Sequence, residues 1–217
     1  MTEPVPEPTY ILRMIHISNL SVCIQRRGLH APNMTPLDGL FWRFIHSAEV
    51  QSKRKIQVIP CGPGGTVHDY VPFYFGPLSP MLLNLKTGRV SGYNEGQEVL
   101  VYLVSTVQAI ESAKLRFVFS DGHGIARLTN WKNESSDLGC VDWAIVRERY
   151  WKDTVEDMDR QRRKQAEFLV HQFVPWNLIS EIAVFDAKRK RQAEQLLSGN
   201  PDAAVPPVVV RRDWYYA

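Results

Sequence analysis

A carboxylate opens an apolar run: in RRKQAEFLVHQFVP, Glu167 precedes Phe168, Leu169 and Val170 and follows the basic residues Arg160, Arg162, Arg163 and Lys164. On a strand at the mouth of a cleft, such a group can hydrogen-bond a sugar hydroxyl or take a proton, more readily if partial burial raises its pKa. The same pattern also fits an edge-strand glutamate paired with a nearby arginine. In MIHISNL, His16 and Asn19 fall where a strand ends and a helix begins, a common place for ligand-facing polar groups; helix capping by Ser18 or Asn19 is the plain structural alternative. Arg54, in QSKRKIQ, could offer a cation to a pyrophosphate or to charge developing on a base, although Lys53 and Lys55 beside it also suit a solvated helix face. In FVFSDGHG the Asp-Gly pair signals a turn, and His123 reads as a positioning or structural residue.

The elements that must hold these groups alternate. Strand-like runs cover Tyr10 to Ile17, Val99 to Ser105, Leu115 to Ser120, Glu167 to Val174, Glu181 to Phe185 and Val208 to Arg211. Helical patterns cover Asn19 to Arg27, closed by Gly28, then Ala48 to Lys55, Thr106 to Ala113 and Asp142 to Trp151. A last helix is expected over AKRKRQAEQLLS, capped by Asp186 and stopped by Gly199 and Pro201. The Pro- and Gly-rich stretch from Cys61 to Leu82 carries Tyr70, Phe73, Tyr74 and Phe75; it is expected as an ordered aromatic wall beside a pocket, and not as a regular strand. The pattern as a whole is α+β in a single domain spanning 1–217.

Bulk properties exclude several classes. With 26 basic residues against 23 acidic ones in 217, a nucleic-acid site must come from local clustering and not from a global field. No apolar run reaches the ~18 residues of a membrane span and MTEPVPEP has no leader pattern, so no membrane association and a cytoplasmic location are expected. Three widely spaced cysteines suggest neither a disulfide framework nor a zinc site, and the histidines lack metal-ligand spacing, so no metal is expected. There is no G-x-G-x-x-G unit and no phosphate-binding P-loop, which excludes those two routes to a nucleotide.

Taken together, HISNL, GGTVHDYVPFYFGPLSPML, QEVLVYLVSTVQAI, RFVFSDGHG and RKQAEFLVHQFVPW resemble the DarT family, the toxin half of a bacterial toxin-antitoxin pair, over nearly the whole chain. The resemblance implies an ADP-ribosyltransferase-like split β-sheet cleft with surrounding helices, NAD as co-substrate, single-stranded DNA as acceptor and a DarG-like macrodomain antitoxin as partner. It implies Glu167 and Arg54 as catalytic residues, and His16, Asn19, Gly28, Leu29, Arg54 and Tyr74 as contacts to the dinucleotide. The segment Thr154 to Lys164 corresponds to the substrate-recognition loop. The family commonly has a basic residue where this chain has Leu78.

The implied chemistry is transfer of ADP-ribose to thymine N3, with Glu167 taking the N3 proton and Arg54 stabilising the resulting anion. N3 lies on the pairing edge of the base, so the acceptor must be unpaired. Tyr150, Trp151, Arg160, Arg162, Arg163 and Lys164 are the candidates for stacking on bases and tracking phosphates. Two alternatives stay open: a transferase acting on guanine or protein, and a non-catalytic module that binds single-stranded nucleic acid.

Overall fold

Two apolar strands, β1 (Tyr10–His16) and β4 (Leu100–Thr106), pair antiparallel from Tyr10 opposite Thr106 to His16 opposite Leu100. Because side chains alternate along a strand, Ile11 and Ile15 pack to one face of this pair and Leu12 and Met14 to the other. The computed structural model describes residues 3–199 and 205–217. Pro201 lies outside the described residues.

The other strands are β2 (Gly28–His30), β3 (Tyr70–Tyr74), β5 (Phe117–Ser120), β6 (Trp131–Lys132), β7 (Glu167–His171), β8 (Phe173–Pro175), β9 (Glu181–Val184) and β10 (Val208–Val210). Among the described residues, eight of the ten strands, β1 and β4 included, form a mixed sheet in the order β10-β9-β4-β1-β3-β7-β5-β6, while β2 and β8 form a separate ribbon. Among the described residues β1 and β3 meet in register only where Leu12 faces Tyr74, so the sheet is split there into two halves.

Seven helices surround it: α1 (Asn19–Gln25), α2 (Ala48–Ile56), α3 (Pro80–Lys86), α4 (Val107–Ser112), α5 (Trp143–Arg147), α6 (Arg160–Lys164) and α7 (Ala187–Ser198), counted among the described residues. Leu20, Cys23 and Ile24 of α1 and Ala193 and Leu197 of α7 cover one face of the β1–β4 half. Leu82 and Leu85 of α3, with Tyr215, cover the other. Each leucine or isoleucine among them, fully buried, contributes about 1.5–3 kcal/mol.

The expected α+β fold with a split-sheet cleft is what the chain adopts, with several local departures. The stretch from Cys61 to Leu82 contains a regular strand after all, β3, followed by the start of α3, whose first turn is capped by the Ser79 hydroxyl accepting from the Leu82 N–H at 3.2 Å. Pro72 disguised it, because proline removes a ladder donor. The carbonyl of Pro72 is turned toward β1, so the side on which it lacks an N–H is the side where the sheet is already parted. The run from Glu167 to Val174 is two strands, broken at Gln172, where φ is 64°, so that β7 joins the main sheet and β8 joins β2. The helix expected from Asp142 to Trp151 is shorter: Asp142 caps its start, and α5 ends at Arg147. Ser18 sits at the N-cap position of α1 without a side-chain capping bond; its hydroxyl lies 2.7 Å from His16 Nδ1 instead. Asp186 caps α7 through the Arg189 N–H at 2.8 Å.

Candidate active site

The register of the sheet carries Glu167 to the split. Tyr74, the residue that joins β3 to β1, faces Glu167 on β7, so Leu12, Tyr74 and Glu167 form one row across three strands. Beside this row opens a cavity of about 680 Å³, within the usual range for small-molecule sites. Leu12, Arg13, Met14 and Ile15 all line it. Consecutive residues of a strand point to opposite faces, so a hollow touching all four enters the gap between the two half-sheets.

Glu167 is only 2% exposed, yet it forms part of the cavity wall. Its two oxygens accept from Arg54 Nη1 and Nη2 at 2.9 and 2.8 Å, a fork-on-fork pair between β7 and the last turn of α2. The Gly124 N–H donates to Oε1 at 3.2 Å, and His123 Nδ1 lies 3.5 Å from the same oxygen. Below it, the Glu167 N–H donates to the Ser120 hydroxyl, which in turn donates to the Gly122 carbonyl.

The condition that burial raise the Glu167 pKa is not met. Burial pushes the carboxyl up, but the Arg54 charge and its forked hydrogen bonds, with His123 close by, hold it well below its usual range. Arg54, 7% exposed, responds in the same sense: burial disfavours its charge, the carboxylate more than restores it, and its pKa is raised. At neutral pH both are ionised.

Of the residues expected to touch a dinucleotide, Asn19, Gly28, Arg54 and Tyr74 line the cavity. Asn19 holds the wall through its backbone bonds: its amide donates to the Arg43 carbonyl at 2.9 Å and accepts from the Arg43 N–H at 2.8 Å. Gly28 has φ 155°, and a Cβ there would stand 2.2 Å from the Val174 carbonyl oxygen, so the β2–β8 ribbon closes only over glycine. Leu29 packs in the core and is absent from the cavity lining. His16 is also absent from the lining; burial lowers its pKa, its Nδ1 accepts from the Ser18 N–H at 3.2 Å, and its buried Nε2, 3.5 Å from Glu95, has no hydrogen-bond partner. The Tyr74 hydroxyl reaches Met81 Sδ at 3.9 Å, and burial raises its pKa.

The residues expected to meet DNA are dispersed. Tyr150 is 80% exposed, whereas Trp151 is 6% exposed and donates to the Tyr216 hydroxyl at 2.6 Å. Arg160 donates to the Tyr150 carbonyl at 2.8 Å. Arg162 is clamped between Asp159 and Asp121, and Arg163 between Asp142 and Asp157. Lys164 is 5% exposed, donates to the carbonyls of Val146 and Glu148 at 2.7 Å each, and has its pKa pushed down to about 8 by burial. Leu78, at the position where a basic residue is expected, is buried with φ 57°, and its carbonyl accepts from the Tyr216 hydroxyl.

Several residues at the site went unmarked in the sequence, and two of them bear directly on its charges. Arg13 is one; a cation inside the apolar string ILRMIH was its signal. The other is Gly124, whose N–H serves the carboxylate and which a turn motif alone does not mark.

The family model for DarT, described as ssDNA thymidine ADP-ribosyltransferase, matches residues 12–216. The chain belongs to the DarT family. A DNA ADP-ribosyl transferase of Thermus sp. (strain 2.9) is 40% identical over 216 residues, covering 100% of both chains. The DarT fold agrees equally well: Thermus sp. 2.9 DarT in complex with ADP-ribosylated ssDNA superposes with a TM-score of 0.93 at 39% identity, covering 100% of each chain. The same Thermus DarT in complex with NAD+ gives 0.88 at 38% identity, covering 98% of this chain and 100% of that one. Among the described residues of this DarT family member, no group of three His, Cys, Asp or Glu side chains could hold a metal, and no helix is long and apolar enough to cross a membrane.

Proposed function

We propose that this DarT family member transfers ADP-ribose from NAD to thymine N3 in single-stranded DNA, with Glu167 and Arg54 as the reacting pair. One observation carries the reading: an ionised carboxylate, forked to a buried arginine, forms part of the wall of an NAD-sized hollow in a split sheet. The Thermus relative's complexes with NAD+ and with ADP-ribosylated ssDNA support both substrates.

A carboxylate held this far down is a weak base while Arg54 grips it. If Arg54 shifts its donors to the thymine carbonyls as the N3 proton leaves, the Glu167 pKa rises while the base anion is stabilised. Charge is conserved: the arginine-carboxylate pair becomes an arginine-thymine anion pair beside a neutral glutamic acid. The N3 electron pair then forms the bond to the ribose anomeric carbon as the bond to nicotinamide breaks, its electrons leaving with the neutral nicotinamide. On return to Arg54, Glu167 is again held below its usual range and gives its proton to water. The His123 and Gly124 contacts fix the carboxylate throughout.

His16, Asn19, Gly28, Leu29 and Tyr74 belong to the proposed dinucleotide site, Leu29 and His16 by supporting the wall from behind. The proposal includes action in the cytoplasm as a toxin held in check by a DarG-like macrodomain antitoxin, a part that rests on the family resemblance. Mass spectrometry of thymine-only and guanine-only single-stranded oligonucleotides after incubation with NAD tests the reaction. The expected result is one ADP-ribosyl increment on the thymine strand, linked at N3. Increments on guanine or on protein would replace the acceptor, and absence of nicotinamide release would remove the transferase reading.

A further inference from the structure

Four arginines line the cavity, and three of them are matched by acids. Arg26 is paired with Asp38 at 2.8 Å, Arg43 with Glu95 and Arg54 with Glu167. Arg13 has no carboxylate within salt-bridge distance among the described residues. Its Nη1 donates to the Pro72 carbonyl at 3.2 Å across the split between β1 and β3, and its buried Nε has no hydrogen-bond partner.

A guanidinium with five donors in a fixed fork, using one of them on a carbonyl, is a costly thing to leave in a wall. The cost is largest here because Arg54 stands close enough to oppose it: burial and then the Arg54 charge bring the Arg13 pKa down to about 10. Arg13 and Arg54 thus share one carboxylate, and this end of the hollow carries an excess positive charge. The Pro72 contact pins the guanidinium at the gap, so little freedom is lost when its remaining donors are engaged.

We infer that Arg13 is the fixed phosphate receptor of the cleft, completing its unused donor fork on the pyrophosphate oxygens of the dinucleotide. Arg is the side chain that matches a phosphate in two places at once, and the cavity offers no other arginine free of an acid. The inference rests on NAD occupying this cavity. A backbone phosphodiester of the acceptor strand shares the same chemistry and is distinguished below.

The test measures binding of NAD, ADP-ribose and a fluorescent thymine-containing oligonucleotide, each alone, to the wild type, Arg13→Gln and Arg13→Lys. Gln keeps a donor for the Pro72 carbonyl without charge; Lys keeps the charge without the fork. Loss of one charge-assisted contact weakens binding by about tenfold or more. The expected result is that loss for NAD and ADP-ribose in Arg13→Gln, partly restored in Arg13→Lys, with oligonucleotide affinity and melting temperature near wild type. A loss confined to the oligonucleotide would keep the phosphate receptor and move it to DNA. Unchanged affinity for all three ligands in folded Arg13→Gln would overturn it, as would NAD binding weakened more in Arg13→Lys than in Arg13→Gln, the mark of a strap between strands. A wild-type protein that fails to bind NAD would instead overturn the reading on which the inference rests.

Discussion

The cleft and helix α6 both gather cations and treat them in opposite ways. In α6 four basic residues fall within five positions, yet Arg162 and Arg163 are neutralised by Asp121, Asp142, Asp157 and Asp159, and Lys164 is spent on two carbonyls. In the cleft Arg13 and Arg54 are 41 residues apart in sequence, share a single glutamate and line an open hollow. Density of charge along the chain therefore says little about charge available to a ligand. What decides is whether acids of the same neighbourhood fold onto the cations. The α6 network has a positional use instead: Arg162 holds Asp121 at 2.8 Å and its carbonyl accepts from the His123 N–H at 2.9 Å, so the helix sets the turn that meets Glu167.

That contrast can be broken or sharpened in four ways. Glu167→Gln keeps the side chain's shape but removes the base, and transfer to a thymine oligonucleotide should fall about 10²-fold or more; labelling at the wild-type rate would remove the carboxylate from the reaction. Arg54→Ala strands the buried carboxylate, which should cost about 3–5 kcal/mol in urea unfolding at neutral pH besides lowering turnover. The sign with pH follows from the depressed Glu167 pKa: stabilisation is fully present above the ordinary value of 4.5 and is lost as pH falls through the lower folded value. The stability gap between wild type and Arg54→Ala should accordingly narrow below about 4.5, and a gap unchanged down to acid pH would contradict the pairing. Arg162→Ala should reduce kcat about tenfold, the scale of one charge-assisted contact, while leaving oligonucleotide affinity and its salt dependence unchanged. A steep loss of DNA affinity would show it to be a phosphate contact. Arg160→Ala is the smallest effect: it should weaken oligonucleotide binding a few-fold and reduce the salt slope by about 1 if its guanidinium reaches DNA.

Strongly periodic segments were legible from the residues alone. β1, β4, β9 and α7 fall within a residue or two of the expected positions, because alternation, apolar runs and the Asp186 cap are local signals. β3 was not legible: Pro72 argues against a strand unless one knows that the strand borders a gap, which is a tertiary fact. In the site, the residues gave Glu167 and Arg54 as types, but their bidentate contact spans 113 positions and no spacing rule carries across that distance. The same holds for Trp151, an apparent stacking platform whose indole N–H is committed to Tyr216 near the C-terminal end of the chain. Arg13 was hidden for the converse reason: a single cation in an apolar strand looks like snorkelling until its missing acid can be seen.

The parted sheet also bears on how the enzyme could be disabled without touching a reacting group. A residue with an amide hydrogen in place of Pro72 would present a donor toward β1, beside the carbonyl already held by Arg13. Zipping by one more rung would draw the two halves together and narrow the entrance. The opening persists partly because one position of the backbone has no hydrogen to offer its neighbour.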